Sequence, residues 1–112
     1  MSTPQVQPLS EAAILAATDE LAAKVPELAD ATLVRPWAIS AIAAASSGVI
    51  AGHRSFPTVS ASAQAVAYAT FHVKPLSLGN TALGALLAHI LLTTNGEEVS
   101  FAETWKLVKS GI

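Results

Sequence analysis

The stretch KPLSLGNTALGALLAHILLTTNG, Lys74 to Gly96, decides the reading of this chain. Pro75 and Gly79 mark a short loop, and Asn80 follows as a candidate N-cap. Its side-chain oxygen suits one of the N–H groups that a first helical turn leaves without a partner. The helix beyond carries Leu83, Leu86, Leu87, Ile90 and Leu91 on one face and Ala82, Ala85, Ala88, His89 and Leu92 on the other. A helix that is apolar on both sides has to be enclosed, by protein or by lipid. The apolar run is about a dozen residues, against the roughly 20 that a bilayer requires, so protein is the expected surrounding. Asn95-Gly96 is a C-terminal stop. The fold expected from this stretch is all-α, a compact helical domain built round one buried helix.

Composition agrees. One core and one domain suit 112 residues. Residues 1–9, rich in Pro and Gln, read as a frayed tail, and 10–112 as the domain. Only 12% of residues are charged while 52% are hydrophobic. Such a chain has few charges with which to cover its surface, so a homo-oligomer or a protein partner is expected to cover an apolar patch. The net charge is −2 with no basic cluster, which argues against nucleic acid. There is no cysteine, hence no disulfide and no thiolate metal site. The polar N-terminus does not read as a signal peptide, and a cytoplasmic location without membrane attachment is the expectation.

The charges are unevenly placed. No carboxylate occurs between Asp30 and Glu97, a segment that holds Arg35, Arg54, Lys74 and all three histidines. That segment can supply neither a paired-carboxylate acid/base site nor a carboxylate ligand for magnesium. His53, His72 and His89 lack ligand-like spacing, so no metal is assigned. His89, among alanines and leucines, reads as a neutral, hydrogen-bonded core residue. No Ser/His/acid arrangement is visible.

In chain order, Ser10-Glu11 starts a helix with Ile14, Leu15, Leu21 and Val25 on an apolar stripe, ended or kinked at Pro26. Glu27 to Thr32 reads as a turn or helical fragment. Pro36 suits the first position of a second helix, through Trp37, Ile39 and Ile42 to about Ser46. Ser47 to Phe56, with Gly48 and Gly52 flanking two β-branched residues, reads as a short hairpin or an ordered loop. A third helix starts near Pro57 or Thr58 and runs to about Val73, with Val59, Ala63, Val66, Ala67 and Thr70 on one face. Ser100 with Glu103 fits a capping box for a last helix holding Phe101, Trp105 and Val108. The count is about five helices with one short β-hairpin.

These residues carry a resemblance. Lys74-Pro75-Leu76-Ser77-Leu78-Gly79-Asn80, followed by a helix ending Asn95-Gly96, resembles the active-site loop and following helix of the Fic/Doc (death-on-curing, Fido-fold) family of prokaryotic toxin–antitoxin systems. The family pattern is His-Pro-Phe, a variable residue, an acid, Gly or Ala, Asn, Lys or Gly, then Arg. Phe56-Pro57-Thr58 and Val34-Arg35-Pro36-Trp37 resemble the starts of two earlier helices, and the likeness spans residues 34 to 108. Ser47 to Ser55 then falls where the family has its flap, a hairpin that docks the target polypeptide as an added strand; Gly48, Val49, Ile50 and Ala51 would be the target-binding residues.

The resemblance implies AMP- or phosphotransferase chemistry, and the departures speak against it. The family histidine, the base towards a target hydroxyl, is Lys74 here. The acid that holds magnesium is Leu78, and the basic pair that grips phosphates is Thr81 and Ala82. Pro75, Gly79 and Asn80 are kept. An ammonium holds its proton at neutral pH and makes a poor base, and a leucine binds no metal. The expectation is therefore a pseudoenzyme, a degenerate Fic/Doc-like protein that acts by protein binding and needs no cofactor. The alternative is an atypical nucleotidyl- or phosphotransferase in which Lys74, Gly79, Asn80 and Thr81 form an anion- or nucleotide-binding corner at the helix N-terminus, with Lys74 as the candidate catalytic group. In the plainer reading Gly79 permits a tight turn, Asn80 caps the helix and Lys74 points into water.

Overall fold

A computed structural model describes residues 7–47, 49–50, 53–54 and 58–110. They form five α-helices: α1 (Glu11–Lys24), α2 (Trp37–Ser47), α3 (Val59–Val73), α4 (Asn80–Thr94) and α5 (Phe101–Ser110). A 3₁₀ turn, Pro26–Leu28, follows α1. Between α2 and α3, β1 (Val49–Ile50) pairs antiparallel with β2 (His53–Arg54), Val49 opposite Arg54 and Ile50 opposite His53. The all-α class and the five helices match the sequence reading, and no helix of the described residues is long and apolar enough to cross a membrane.

The helix boundaries follow from local chemistry. Ser10 Oγ accepts from the Ala13 amide at 3.0 Å, and Thr58 Oγ1 accepts from the Ala61 amide at 3.0 Å. At α5 the capping box closes in both directions: the Glu103 amide donates to Ser100 Oγ at 3.1 Å and the Ser100 amide to Glu103 Oε1 at 3.2 Å. Lys24, in the last turn of α1, donates to Glu20 at 2.6 Å. Their hydrogen bond, with the charge attraction behind it, lowers the Glu20 carboxyl and raises the Lys24 ammonium from their ordinary ranges.

The central position of α4 explains its composition. It packs against α3, α5 and α1, while α2 packs on α3 and α1. Leu83, Leu87, Ala88, Leu91 and Leu92 are buried, together with Ile14, Ile39, Ile42, Val66 and Val108 from the other helices. Truncating a leucine in such a place to alanine costs about 2–5 kcal/mol. Phe71 lies so close to α4 that a methyl at Gly84 would sit 2.5 Å from its ring. Enclosure is incomplete: Thr81 at one end of α4 and Thr93 and Thr94 at the other are exposed, the places where the sequence turns polar.

Three expectations need correction. Asn80 is not the cap of α4. Gly79 holds that position at φ +84° without a side-chain hydrogen bond, and Asn80 is the first helical residue. On α1, Ile14 and Ala17 are buried while Leu15 is 42% exposed. The inward side follows the spacing of 14, 17 and 21, and Leu15 lies about 100° round from Ile14. The expected tail is also partly fixed. Leu9 is buried and its amide donates to Ser46 Oγ at 2.8 Å, and Gln7 is held by Asn95. Residues 1–6 lie outside the described residues.

Candidate functional site

Residues 74–79 join α3 to α4, and much of the main chain of 74–77 is committed to internal hydrogen bonds. Lys74 ends α3 in the left-handed region, φ 47°, with its amide donating to the Thr70 carbonyl at 3.1 Å. A left-handed residue is a common helix stop, usually glycine, and a lysine there carries a conformational cost of about 1–2 kcal/mol. Its carbonyl accepts from Arg35 Nη1 at 2.9 Å. The Pro75 carbonyl accepts from the Val34 amide at 2.8 Å and the Arg35 amide at 3.2 Å. The Ser77 amide donates to the Thr32 carbonyl at 2.9 Å, and Ser77 Oγ accepts from the Thr32 amide at 3.0 Å. Leu33 and Leu76 thus face each other in an isolated antiparallel bridge.

Leu76 is buried, and in that bridge its own amide and carbonyl point away from the 32–34 segment. Asn80 supplies the partners. Its Oδ1 accepts from the Leu76 amide and its Nδ2 donates to the Leu76 carbonyl, both at 3.0 Å. This explains why asparagine stands in the first turn without capping it: the side chain mimics a peptide group and closes the loop. Gly79 has a second reason besides its φ, since a Cβ there would lie 2.7 Å from Leu28 Cδ2.

Of the residues assigned to an anion corner, Gly79, Asn80 and Thr81 are therefore together at the start of α4, but the Asn80 side chain faces the loop. Lys74 is exposed, with no ion pair among the described residues, and its backbone serves as a helix stop. Leu78, at the position of the family acid, is 40% exposed. Among the described residues no three His, Cys, Asp or Glu side chains approach closely enough to hold a metal. For the flap, β1 and β2 pair as described; the side chains of Val49 and Ile50, and the whole of Gly48 and Ala51, lie outside the described residues.

His89 is half-buried, and its Nδ1 lies 2.9 Å from the hydroxyl of the buried Thr104. The same hydroxyl lies 3.2 Å from the Ser100 carbonyl one turn back. The ring meets Phe101 edge-on at 5.6 Å. His89 thus ties α4 to α5, as the sequence reading of a hydrogen-bonded core histidine has it. His72 is exposed and stacks with Tyr68 at 5.8 Å.

One feature escaped the sequence reading. A groove of about 520 Å³ runs between the 3₁₀ turn, the first turns of α4 and α5, lined by Val25, Leu28, Ala82, Ala85, Phe101 and Trp105, with Gly79, Thr81 and Glu27 at its margin. The signal in the sequence was the pair Phe101 and Trp105 at i, i+4 on the last helix; Phe101 is 48% exposed. No family model, no curated protein and no solved structure matches the chain.

Proposed function

We propose that this chain is a catalytically degenerate Fic/Doc-like protein that acts by binding another polypeptide through the face of its 74–79 loop. The observation that supports this reading is where the large exposed apolar side chains fall. Among the described residues these are Leu15, Leu33, Val34, Trp37, Leu78 and Phe101. Leu33 and Val34 lie on the segment hydrogen-bonded to the loop, Trp37 follows it at the start of α2, and Leu78 is in the loop itself. Trp37 is 61% exposed. Tryptophan is rare on a free surface and frequent at the centre of interfaces. Where the family places a histidine and an acid, this loop presents an aliphatic side chain to solvent and uses its lysine to end a helix.

The partner expected first is a second copy, given the low charge, with an antitoxin-like polypeptide as the next to try. Solution mass of the wild type and of Trp37→Ala/Leu78→Asp provides the test. An oligomer that the double substitution dissociates, or a co-purified polypeptide that it releases, supports the reading. A wild-type monomer that transfers a labelled nucleotide to a protein hydroxyl overturns it. Lys74→Gly separates the two classes of function further. It relieves a left-handed lysine and is expected to stabilise the fold by about 1 kcal/mol while leaving partner binding intact; a transferase that relied on the ammonium would lose its activity.

A further inference from the structure

We infer that the outer edge of residues 32–34 pairs with the same edge of a second copy, as two antiparallel strands related by a two-fold axis at Leu33; this rests on the reading above that the first partner is a second copy, and names the contact. In the bridge between Leu33 and Leu76, the bonds run from the Val34 amide to Pro75 and from the Ser77 amide to Thr32. The amides and carbonyls of the two bridged residues therefore point outward, away from each other's segment. Asn80 takes up those of Leu76. Those of Leu33 have no partner among the described residues, and Leu33 and Val34 are 38% and 48% exposed. An open edge with a free N–H and C=O is a template for another strand. A second Leu33, across a two-fold axis, returns both bonds at once. In that register Val34 lies opposite Thr32 of the other copy, and Arg35 opposite its Ala31, next to its Asp30. Asp30 and Arg35 are exposed and form no ion pair among the described residues. Each end of the paired segment thus brings a carboxylate of one copy to a guanidinium of the other. The parallel arrangement would set Arg35 beside Arg35, so the charges select the antiparallel one.

The chain has no cysteine, so an introduced one reports on its own. Opposed residues that exchange both bonds lie about 5.5 Å apart between Cα atoms, within the reach of a disulfide. Leu33→Cys is expected to form an interchain disulfide in mild oxidant. Leu78→Cys, exposed in the loop but off the axis, is expected to cross-link about tenfold less at the same protein concentration. Sedimentation of the wild type is expected to give a dimer in which the Leu33 amide is protected from exchange, a protection lost on dilution. Leu33→Pro removes an N–H that serves no bond within the copy, and is expected to give a monomer with wild-type helix content. Asp30→Arg is expected to weaken the dimer about fivefold, and Asp30→Arg/Arg35→Glu to recover part of that loss. A dimer that Leu33→Cys does not cross-link and Leu33→Pro does not dissociate overturns the inference. The loop-face reading then stands or falls separately, on whether Trp37→Ala/Leu78→Asp dissociates that dimer. A wild type that stays monomeric at every concentration also overturns the inference, and a co-purified polypeptide then decides the loop-face reading.

Discussion

The two ends of α4 solve one problem with the same letters and different surroundings. At each end an asparagine adjoins a glycine at positive φ, Gly79-Asn80 at the start and Asn95-Gly96 at the end. At each end the asparagine amide grips both the N–H and the C=O of one residue in an extended segment: Asn80 holds Leu76, and Asn95 holds Gln7. The start is packed. Gly79 lies under Leu28, and Leu76 is 2% exposed. The end is open. A Cβ on Gly96 would meet nothing within 4 Å, and Gln7 is exposed. The stop at Gly96 also has backbone bonds of its own, its amide donating to the Thr93 carbonyl and the Glu97 amide to the Leu92 carbonyl. Identical local chemistry should therefore carry unequal weight, because water can replace a lost bond at one end and not at the other.

Gly79→Ala is the sharpest test. It combines left-handed strain of about 1–2 kcal/mol with a methyl driven against Leu28, and a total near 3 kcal/mol is expected in urea unfolding. Leu28→Ala in the same chain should return part of that loss, because the clash is with a side chain. If the two changes simply add, the crowding at Gly79 is not what matters there. Asn80→Ala follows. It leaves the amide and carbonyl of the buried Leu76 without their side-chain partners, a loss of about 2 kcal/mol. Asn80→Asp keeps the acceptor and removes the donor, and should fall between the two.

This contrast also marks what the sequence could yield. The C-terminal stop and the capping box at α5 are legible because each is closed within a few residues, by Asn95-Gly96 and by Ser100 with Glu103. The role of Asn80 is not. An asparagine after a glycine reads as a cap until the position of Leu76 is known, and that position depends on residues 32–35 some forty positions upstream. Leu15 was misplaced for a related cause: periodicity gives an apolar side but not how far a neighbouring helix covers it. The helix count was secure because Pro, Gly, Ser and Thr punctuate the chain at nearly every boundary. The loop's residues could be read one by one, whereas the placing of Leu33 and Val34 beside it required the pairing of two distant segments.

At the open end smaller effects are expected. Gly96→Ala meets no neighbour, so only the left-handed backbone is charged against it, about 1 kcal/mol. A loss as large as that of Gly79→Ala would show that conformation, not packing, governs both positions.

Asn95→Ala should be the mildest, and it tests the comparison most directly because Asn95 makes more bonds than Asn80. Its Nδ2 donates to Gln7 O at 3.0 Å and to Leu91 O at 2.8 Å, and its Oδ1 accepts from Gln7 N at 2.7 Å. By a count of bonds, removing it should hurt more than removing Asn80. By solvent access it should hurt less, since Gln7 is exposed and water can take up its amide and carbonyl; a loss near 0.5 kcal/mol is expected. The residue that would then loosen is Gln7, while Leu9 stays anchored by Ser46. Amide exchange at Gln7 should accelerate with that at Leu9 unchanged. Should Asn95→Ala cost as much as Asn80→Ala, the number of bonds and not their burial would set the strength of these two clamps.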